Sequence, residues 1–337
     1  MYFIDQKADY IFQANPLFKV DRAGRTCYQS KQSDTYEDAA NFAQRALKSG
    51  HMSIFEHVIF CFVFKENLGS FFYYTKLLNT VENDPFYSRT VNEETVGTNK
   101  KHQFYAKTLN EENGRNIISI NFRFLFEAFE HEPLLANLLY LVYKRFPELF
   151  LEPVEAVGNF DNIANIECLT SEEFQMLYEP HLNAEEIKKH IYFSFVLQTD
   201  RGVMAELTRH RRNAFSVSST RYINFSKKYG GIPIVQPVNF ELTQEILSTL
   251  YQIEDTYRNL VNDGMPPQDA RLILPNCLWC EIFTTANLEQ WLHVFEMRLA
   301  QNAHPQIRAL MEDAKNLVNE NLLSYTVDMK TMGLVHA

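Results

Sequence analysis

Basic side chains are concentrated in one short stretch of an otherwise acidic chain. Residues 201–228 contain seven lysines and arginines and one acid, whereas the whole chain has 32 Lys+Arg against 42 Asp+Glu and a formal charge of -10. Such a concentration indicates a local anion site. The alternative is a solvated helix end, because Arg209, His210 and Arg211 fall in the last turn of a helix predicted over 203–212, where the helix dipole favours cations.

Hydroxyl side chains follow this basic segment and lead to a further arginine. The loop carries Ser216, Ser218, Ser219 and Thr220, and continues directly into Arg221 and Tyr222. Short neutral donors beside a planar guanidinium suit a phosphate, and each hydrogen bond to a charged group contributes about 1.5 to 3 kcal/mol. This combination favours a phosphate-binding loop over a merely solvated helix end.

Common nucleotide and metal motifs are absent or incomplete. No two glycines are separated by a single residue, and neither GKS nor GKT occurs, so the sequence supports neither Rossmann nor P-loop nucleotide binding. Cys277 and Cys280 form a lone CxxC pair, whereas a structural zinc ion requires four ligands. We therefore expect two packed thiols and no metal.

The composition is typical of a globular protein with ample material for a core. The 337 residues are 46% hydrophobic and 22% charged, which excludes disorder as the main state. The acidic balance argues against a general nucleic-acid or anionic-membrane binder. Five cysteines, an odd number, and the absence of a signal-peptide pattern predict a reducing, cytoplasmic location. The most apolar stretches, residues 58–64 and 134–143, are far shorter than the roughly 20 residues that span a bilayer.

Two pairs of segments suggest an internal duplication. HVIFCFVF (57–64) and HIYFSFVL (190–197) share an initial histidine and an apolar run that is typical of a buried strand. Residues 116–133 and 281–305 both predict a strand, an asparagine, an aromatic-rich helix and a histidine before proline. A chance likeness of two strand-helix units is the alternative. If the repeat is real, a proline and a glycine place the boundary within residues 149–159.

The basic segment and the hydroxyl loop resemble the signature of a known family. Arg209-His210-Arg211, a gap of seven residues, Ser219 and then Arg221-Tyr222 are similar to the RHRx7S signature of flavin-dependent thymidylate synthases (ThyX). Further segments resemble that family in the same order: GRTCYQS (24–30), GHMSIFEH (50–57), ARLILPN (270–276) and NLEQWLHVFEMR (287–298).

The resemblance implies a reaction and a fold. The family methylates dUMP reductively to dTMP with methylenetetrahydrofolate as carbon donor, FAD as hydride carrier and NADPH as reductant. Its α+β fold is a mixed sheet wrapped by helices, and its homotetramer shares active sites between subunits. Combined with the internal duplication suggested above, it predicts two related copies, residues 1–150 and 151–337, and a homodimer that imitates the tetramer.

The resemblance also implies roles for individual residues. The residues that would contact FAD are His51, Ser53, Glu56, Arg209, His210, Arg211, Asn287 and His293. Those that would contact dUMP are Glu206, Ser219, Thr220, Arg221, Arg271 and Arg298, with Ser219 and Arg221 at the phosphate and Arg298 at the uracil. Arg211, Ser219 and His210 would act at the reacting groups. Ser219 would act through a hydrogen bond, because no neighbouring base is evident that could activate it as a nucleophile.

The spacing of the motifs departs from the family. His57 and Arg209 are 152 positions apart (209 minus 57), whereas one strand-helix unit separates the corresponding family motifs. The predicted repeat explains this difference. The half over residues 1–150 keeps the GHxSxxEH segment but has Lys-Leu-Leu at 76–78 in place of RHR, and the half over 151–337 keeps RHRx7S.

Local departures leave the activity open. Val217 replaces a residue that is often polar, Glu289 replaces a common arginine near the flavin, and Asn302 and Gln306 replace the His and Glu of the HAxxEI pattern. One alternative is a non-catalytic nucleotide-binding or scaffolding protein. Another is a related flavoenzyme that adds a different carbon unit to a pyrimidine nucleotide. A nucleic-acid binder is least favoured, because the basic segment is narrow.

Overall fold

A computed structural model describes residues 1–65, 68–82, 105–110, 115–129, 135–157 and 165–322. The predicted break at residues 130–133 and the end of the predicted boundary segment, residues 158 and 159, lie outside these ranges.

Ten strands form the sheets of the described part of the chain. They are β1 (Tyr2–Ile4), β2 (Lys7–Ile11), β3 (Ile59–Phe64), β4 (Tyr105–Asn110), β5 (Arg115–Asn121), β6 (Ile166–Thr170), β7 (Tyr192–Asp200), β8 (Ala214–Val217), β9 (Pro233–Val235) and β10 (Trp279–Asn287). The apolar runs at 58–64 and 190–197 are thus confirmed as strands, and β3 is buried along its whole length.

Helices surround these strands. They are α1 (Pro16–Tyr28), α2 (Tyr36–Lys48), α3 (Leu68–Glu82), α4 (Phe122–Ala128), α5 (Ala136–Arg145), α6 (Ser171–Tyr178), α7 (Ala184–His190), α8 (Arg201–Leu207), α9 (Phe225–Lys228), α10 (Gln244–Asn262), α11 (Pro267–Ala270), α12 (Leu288–Arg298) and α13 (Pro305–Asn321), with short 3-10 helices at Met52–His57, Pro147–Leu149, Glu179–His181 and Arg271–Ile273. The fold class is α+β, as predicted. None of the helices in the described ranges combines the length and the apolar character that crossing a membrane requires.

The strands form two four-stranded antiparallel sheets and one parallel pair, β1 with β9. One sheet has the order β2-β7-β10-β8 and the other has the order β6-β3-β5-β4. Strand β2 precedes residue 150 but pairs with β7, and strand β6 follows residue 150 but pairs with β3. Each sheet therefore takes one edge strand from the other predicted half of the chain.

Two buried histidines occupy equivalent places in the two sheets. His57 precedes β3, and its Nδ1 and Nε2 lie 3.1 Å and 3.0 Å from the hydroxyls of Thr285 and Ser216. His190 precedes β7, and its Nδ1 and Nε2 lie 2.7 Å and 2.8 Å from the hydroxyls of Ser119 and Thr108. Both rings thus bind hydroxyls on the sheet of the opposite half. A duplication, which stays a prediction, would account for this correspondence.

The cores are also shared between the halves. One face of β3, with Phe60 and Phe62, packs with α1, α2, α4 and α5, and this core includes Val196 and Phe283 from the second half. The other face of β3 packs with Phe193 and the helices that follow residue 170. Neither core is confined to one half. The predicted division between residues 150 and 151 would therefore mark the junction of two duplicated sequences and not a boundary between separately packed domains.

Local features define the ends of three helices. Helix α2 ends two residues before Gly50, and this glycine adopts a positive φ of 71° in the turn that follows. Helix α1 has a defined N-terminal cap. Asn15 caps it by accepting a hydrogen bond from the backbone N–H of Leu17, and Pro16 occupies its first turn. The helix predicted over 203–212 was too long, because α8 ends at Leu207.

We predict that the two buried histidines make stability depend on pH. Burial lowers the pKa of His57 and of His190 to about 3, from an ordinary value of 6.5. Below pH 6.5 the unfolded chain therefore takes up protons that the folded chain does not, and the free energy of unfolding falls. The expected loss is roughly 1 kcal/mol per histidine for each pH unit between pH 6 and 5. Urea unfolding at several pH values would measure it.

A single variant separates this effect from that of the carboxylates. His190→Gln should flatten the pH dependence of the free energy of unfolding between pH 6 and 5. An unaltered slope in His190→Gln would contradict the assignment.

Candidate active site

The RHR segment lies in a tight turn between α8 and β8. The backbone N–H of His210 donates to the carbonyl of Leu207, and that of Asn213 donates to the carbonyl of His210. The buried Asn213 side chain accepts a hydrogen bond from Gln290 Nε2 at 3.0 Å. This hydrogen bond holds Asn213 against α12 immediately before β8. The chain therefore leaves the helical path, and α8 ends earlier than predicted. The prediction that Arg209, His210 and Arg211 lie in the last turn of this helix was therefore wrong.

Arg298 joins the RHR turn to α8. Its Nε donates to His210 Nε2 at 2.9 Å, its Nη1 donates to Glu206 Oε2 at 3.2 Å, and its Nη2 donates to the Glu206 carbonyl at 2.8 Å. Three contacts on one planar guanidinium fix its orientation. The structure thus brings together Glu206, His210 and Arg298, three of the predicted site residues.

His210 is neutral in this arrangement. Burial, the Arg298 cation and His293 together lower the pKa of His210 to about 4. Because arginine can only donate, His210 Nε2 must accept, and the ring proton is on Nδ1. The His293 ring lies 5.9 Å from the His210 ring and is exposed, and Arg209 is exposed as well.

The hydroxyl loop divides into buried and accessible parts. Ser216 contacts the His57 ring, and the Ser218 hydroxyl accepts from the backbone N–H of Glu281 at 3.0 Å, so both hydroxyls serve the core. The expectation that all four hydroxyls face a phosphate was therefore wrong for these two. The Ser219 hydroxyl accepts from the backbone N–H of Arg221 at 3.2 Å, and Thr220 accepts from Arg271 at 3.3 Å.

Two exposed arginines flank this loop. Arg221 donates from Nε to Gln268 at 3.3 Å, and its guanidinium lies 5.3 Å from the centre of the Tyr222 ring. Arg271 reaches the loop from the 3-10 helix after α11. Two guanidiniums beside Ser219 and Thr220 give the donor set of a phosphate site.

The C-terminal end of α1 packs against the same loop. The backbone N–H of Ser219 donates to the Cys27 carbonyl at 3.0 Å, and the Tyr28 and Tyr222 rings lie 5.3 Å apart. Tyr28 also lies 6.2 Å from the ring of His51, whose pKa is lowered by burial. The segments GRTCYQS, GHMSIFEH and RHRx7S therefore meet in space.

A small polar cavity lies where the two halves meet. It has a volume of about 60 Å³. Its lining includes Glu56, Asn121, Tyr192, Arg211, Arg212, Asn213, Thr285 and Asn287. Ser53 is half-buried on the 3-10 helix that carries Glu56. Asn287 itself caps α12, because its side-chain oxygen accepts from the backbone N–H of Gln290 at 3.1 Å.

The donor chemistry of this cavity fits the polar part of a flavin nucleotide, because guanidinium and amide groups line it. Its volume does not fit the ring system, since cavities for molecules of that size measure roughly 300–1,000 Å³. Most of a flavin would therefore lie outside the cavity, along the exposed Arg211.

Arg123 contacts Glu56 of this cavity and was not predicted from the sequence. Arg123 Nη1 lies 2.5 Å from Glu56 Oε1, and its Nε donates to Glu127 at 2.8 Å. Burial raises the pKa of Glu56, and the Arg123 cation opposes that shift. Alignment of the caps Asn121 and Asn287 places Arg123 opposite Glu289, so the predicted repeat could have identified it. In the predicted repeat, Arg123 of the first half thus occupies the position of Glu289 in the second half.

The remaining predicted groups are the two cysteines of the CxxC pair. Cys277 and Cys280 are free thiols, and burial raises the pKa of both. Within the described ranges, histidine, cysteine and carboxylate side chains form no cluster that could hold a metal ion.

Comparison with known proteins agrees with this geometry. The model of a family described as thymidylate synthase complementing protein, Thy1, matches residues 174–322. The matched segment lies within the C-terminal half of the chain. The match includes the RHR turn, Arg298 and the hydroxyl loop, whereas Glu56 and Arg123 precede it.

Curated relatives of the chain are flavin-dependent thymidylate synthases. That of Geobacter sulfurreducens is 33% identical over 142 residues, which cover 41% of this chain and 60% of the relative. The enzyme of Haloarcula marismortui is 30% identical over 156 residues, with coverage of 38% and 63%. For Halobacterium salinarum the values are 29% over 185 residues, 47% and 73%. The chain thus spans less than two thirds of the first two relatives.

A solved structure shows a more distant likeness. A UMP/dUMP methylase from Streptomyces cacaoi matches with a TM-score of 0.37 and 17% identity, over 49% of this chain and 80% of that one. At this TM-score the likeness carries no argument about function.

We predict that Arg298 holds His210 in its neutral form. Arg298→Met removes the cation beside the imidazole, so the pKa of His210 should rise from about 4 by on the order of one unit. A pH titration of the His210 ring followed by NMR would measure this. Arg308→Met, which removes a cation from α13 that binds the Gln301 carbonyl, is the control. An unchanged His210 pKa in Arg298→Met would disprove the coupling.

Proposed function

We propose that the chain is a flavin-dependent thymidylate synthase. It converts dUMP to dTMP with methylenetetrahydrofolate as the carbon donor, FAD as the cofactor and NADPH as the reductant. One observation carries the proposal. Glu56 of the GHxSxxEH segment and Arg211 of the RHR segment line one cavity, although 155 positions (211 minus 56) separate them in the chain. The Thy1 match supports the same conclusion independently.

The substrate nucleotide would lie between two groups of donors. Ser219, Thr220, Arg221 and Arg271 would bind the phosphate, because they supply two guanidiniums and two hydroxyls at an accessible loop. Arg298 would face the uracil, and its fixed orientation would hold the base in one position. Glu206 would contact the same nucleotide and keep Arg298 in place.

The cofactor residues would bind and orient the flavin. When bound, the flavin supplies the hydride chemistry. Arg209 and Arg211 would contact its anionic part, and His51, Ser53 and Glu56 would approach it from the first half. Asn287 and His293 would complete its contacts from α12. His210 is neutral near pH 7. It would therefore offer hydrogen bonds near the reacting groups, together with Arg211 and Ser219, without adding a second charge.

The enclosed cavity is too small for a whole flavin, which favours a site completed by a second chain. We propose a homodimer in which each chain corresponds to two subunits of the family tetramer. Isologous pairing is the usual geometry for such a dimer. Two working sites per dimer follow, because each chain has one RHR segment.

The cofactor and the reaction can be tested on the purified full-length chain. After incubation with FAD and gel filtration, the visible absorption spectrum should show retained flavin. Light scattering should give the mass of two chains with two FAD bound. Addition of dUMP, methylenetetrahydrofolate and NADPH should then yield dTMP, identified by mass spectrometry. Failure to retain flavin, even with dUMP present, would contradict the proposal, and dUMP binding without turnover would identify a non-catalytic homologue.

The phosphate assignment is tested by Arg221→Ala. Loss of this charge-assisted contact should weaken dUMP binding more than tenfold in isothermal titration, an order-of-magnitude expectation. Lys227→Ala is the matched control, because it removes another exposed cation from the same basic segment. If both variants bind dUMP equally well, Arg221 does not contact the phosphate.

A further inference from the structure

Glu281 is a buried acid that the proposed reaction does not use. It lies on β10 and is 8% exposed. Its Oε1 accepts hydrogen bonds from Thr26 Oγ1 at 3.0 Å and from Gln29 Nε2 at 3.2 Å, and it forms an ion pair with Arg22 at 3.2 Å. Arg22 lies in the middle of α1, Thr26 in its last turn and Gln29 at its C-cap. The carboxylate thus ties a helix of the first half to the sheet of the second.

The backbone of the same residue holds the hydroxyl loop. The N–H of Glu281 donates to the Ser218 hydroxyl at 3.0 Å, and its carbonyl accepts from the N–H of Ser218 at 2.8 Å. The next residue, Ser219, donates its N–H to the Cys27 carbonyl on α1. The side chain of Glu281 is therefore connected to the C-terminal end of α1, and its backbone is connected to the hydroxyl loop that follows β8.

The loop depends on this helix end for its shape. Ser219 and Tyr222 both contact α1, through a backbone hydrogen bond and through the ring of Tyr28. Tyr229, which follows α9, donates its hydroxyl hydrogen to Gln29 Oε1 at 3.0 Å. A displaced α1 terminus would thus move the segment that presents Ser219 and Arg221. A buried carboxylate is costly unless it is paired, and at this junction Thr26, Gln29 and Arg22 are the partners of Glu281.

We propose that Glu281 is a positioning residue for the phosphate of dUMP. It acts through Thr26, Gln29 and Ser218 by holding the end of α1 against the loop that carries Ser219 and Arg221. This inference rests on the proposed function, because the ligand of the loop is the substrate assigned there. It adds that the first half of the chain determines substrate affinity as well as cofactor contacts.

The main test is Glu281→Gln in the full-length protein. The variant keeps the shape of the side chain and one acceptor but loses the charge that pairs with Arg22. We expect the Kd for dUMP to rise about tenfold, as for the loss of one charge-assisted hydrogen bond. The Kd for FAD should change less than twofold. A selective loss of dUMP affinity is a result that general destabilisation would not produce.

Glu172→Gln is the matched control. Glu172 is also a buried carboxylate that binds α1, through Lys19 Nζ at 2.5 Å, but it lies near the start of that helix. The control should lower the unfolding midpoint and leave the Kd for dUMP unchanged. Equal dUMP affinity in Glu281→Gln and the wild type, or an equal loss in Glu172→Gln, would overturn the proposal.

A second measurement needs no ligand. Hydrogen exchange at the amides of Ser219 and Arg221 should become faster in Glu281→Gln and also in Thr26→Val, which removes one donor to the carboxylate. The double variant should exchange no faster than the faster single variant, because both changes break the same connection. If the wild type does not bind dUMP, the proposed function fails and the dUMP part of the inference fails with it, whereas exchange still decides whether Glu281 positions the loop. Unchanged exchange in both single variants would overturn it.

Discussion

The pairing of edge strands across the two halves is the constraint on which the structure depends. Strand β2 completes the sheet of the second half and β6 completes that of the first, each through antiparallel backbone hydrogen bonds. An edge strand without its partner would leave backbone donors and acceptors unsatisfied. The halves are therefore held together by sheet formation itself, and His57 and His190 add hydroxyl contacts on both sides. A cavity with walls from both halves can consequently keep a fixed shape.

The chain is acidic overall, but several arginines form a local cationic surface at the candidate site. The cations that face solvent are Arg211, Arg221 and Arg271. The cation that is partly buried, Arg298, is satisfied by Glu206 and by a neutral imidazole. A second protonated group beside Arg298 would repel it, so the low pKa of His210 is a condition for this arrangement.

Much of the candidate site was predictable because motifs of fixed spacing mark it. The sequence predicted the RHR segment, Ser219 and Arg298 as site residues. It also predicted two buried apolar strands from short β-type runs, and the structure confirms both strands. It could not reveal that Asn213 binds α12 and ends α8 early, because that contact spans 77 positions. Nor could it separate the inward Ser218 from the outward Ser219, since the direction of each hydroxyl depends on pairing with β10. Glu281 was missed for the same reason, because its partners Thr26 and Gln29 are distant in sequence.

The exchange of edge strands also has a consequence for synthesis of the protein. Ile11 of β2 pairs with Ser194, which is 183 positions later (194 minus 11). When the first half leaves the ribosome, β2 has no partner, and β3 lacks the neighbour that β6 will provide. Pairings of such long sequence separation form slowly and leave apolar edges exposed in the meantime. The nascent chain should therefore stay incompletely folded until β7 has emerged, and it should depend on chaperones more than a chain whose halves fold in turn.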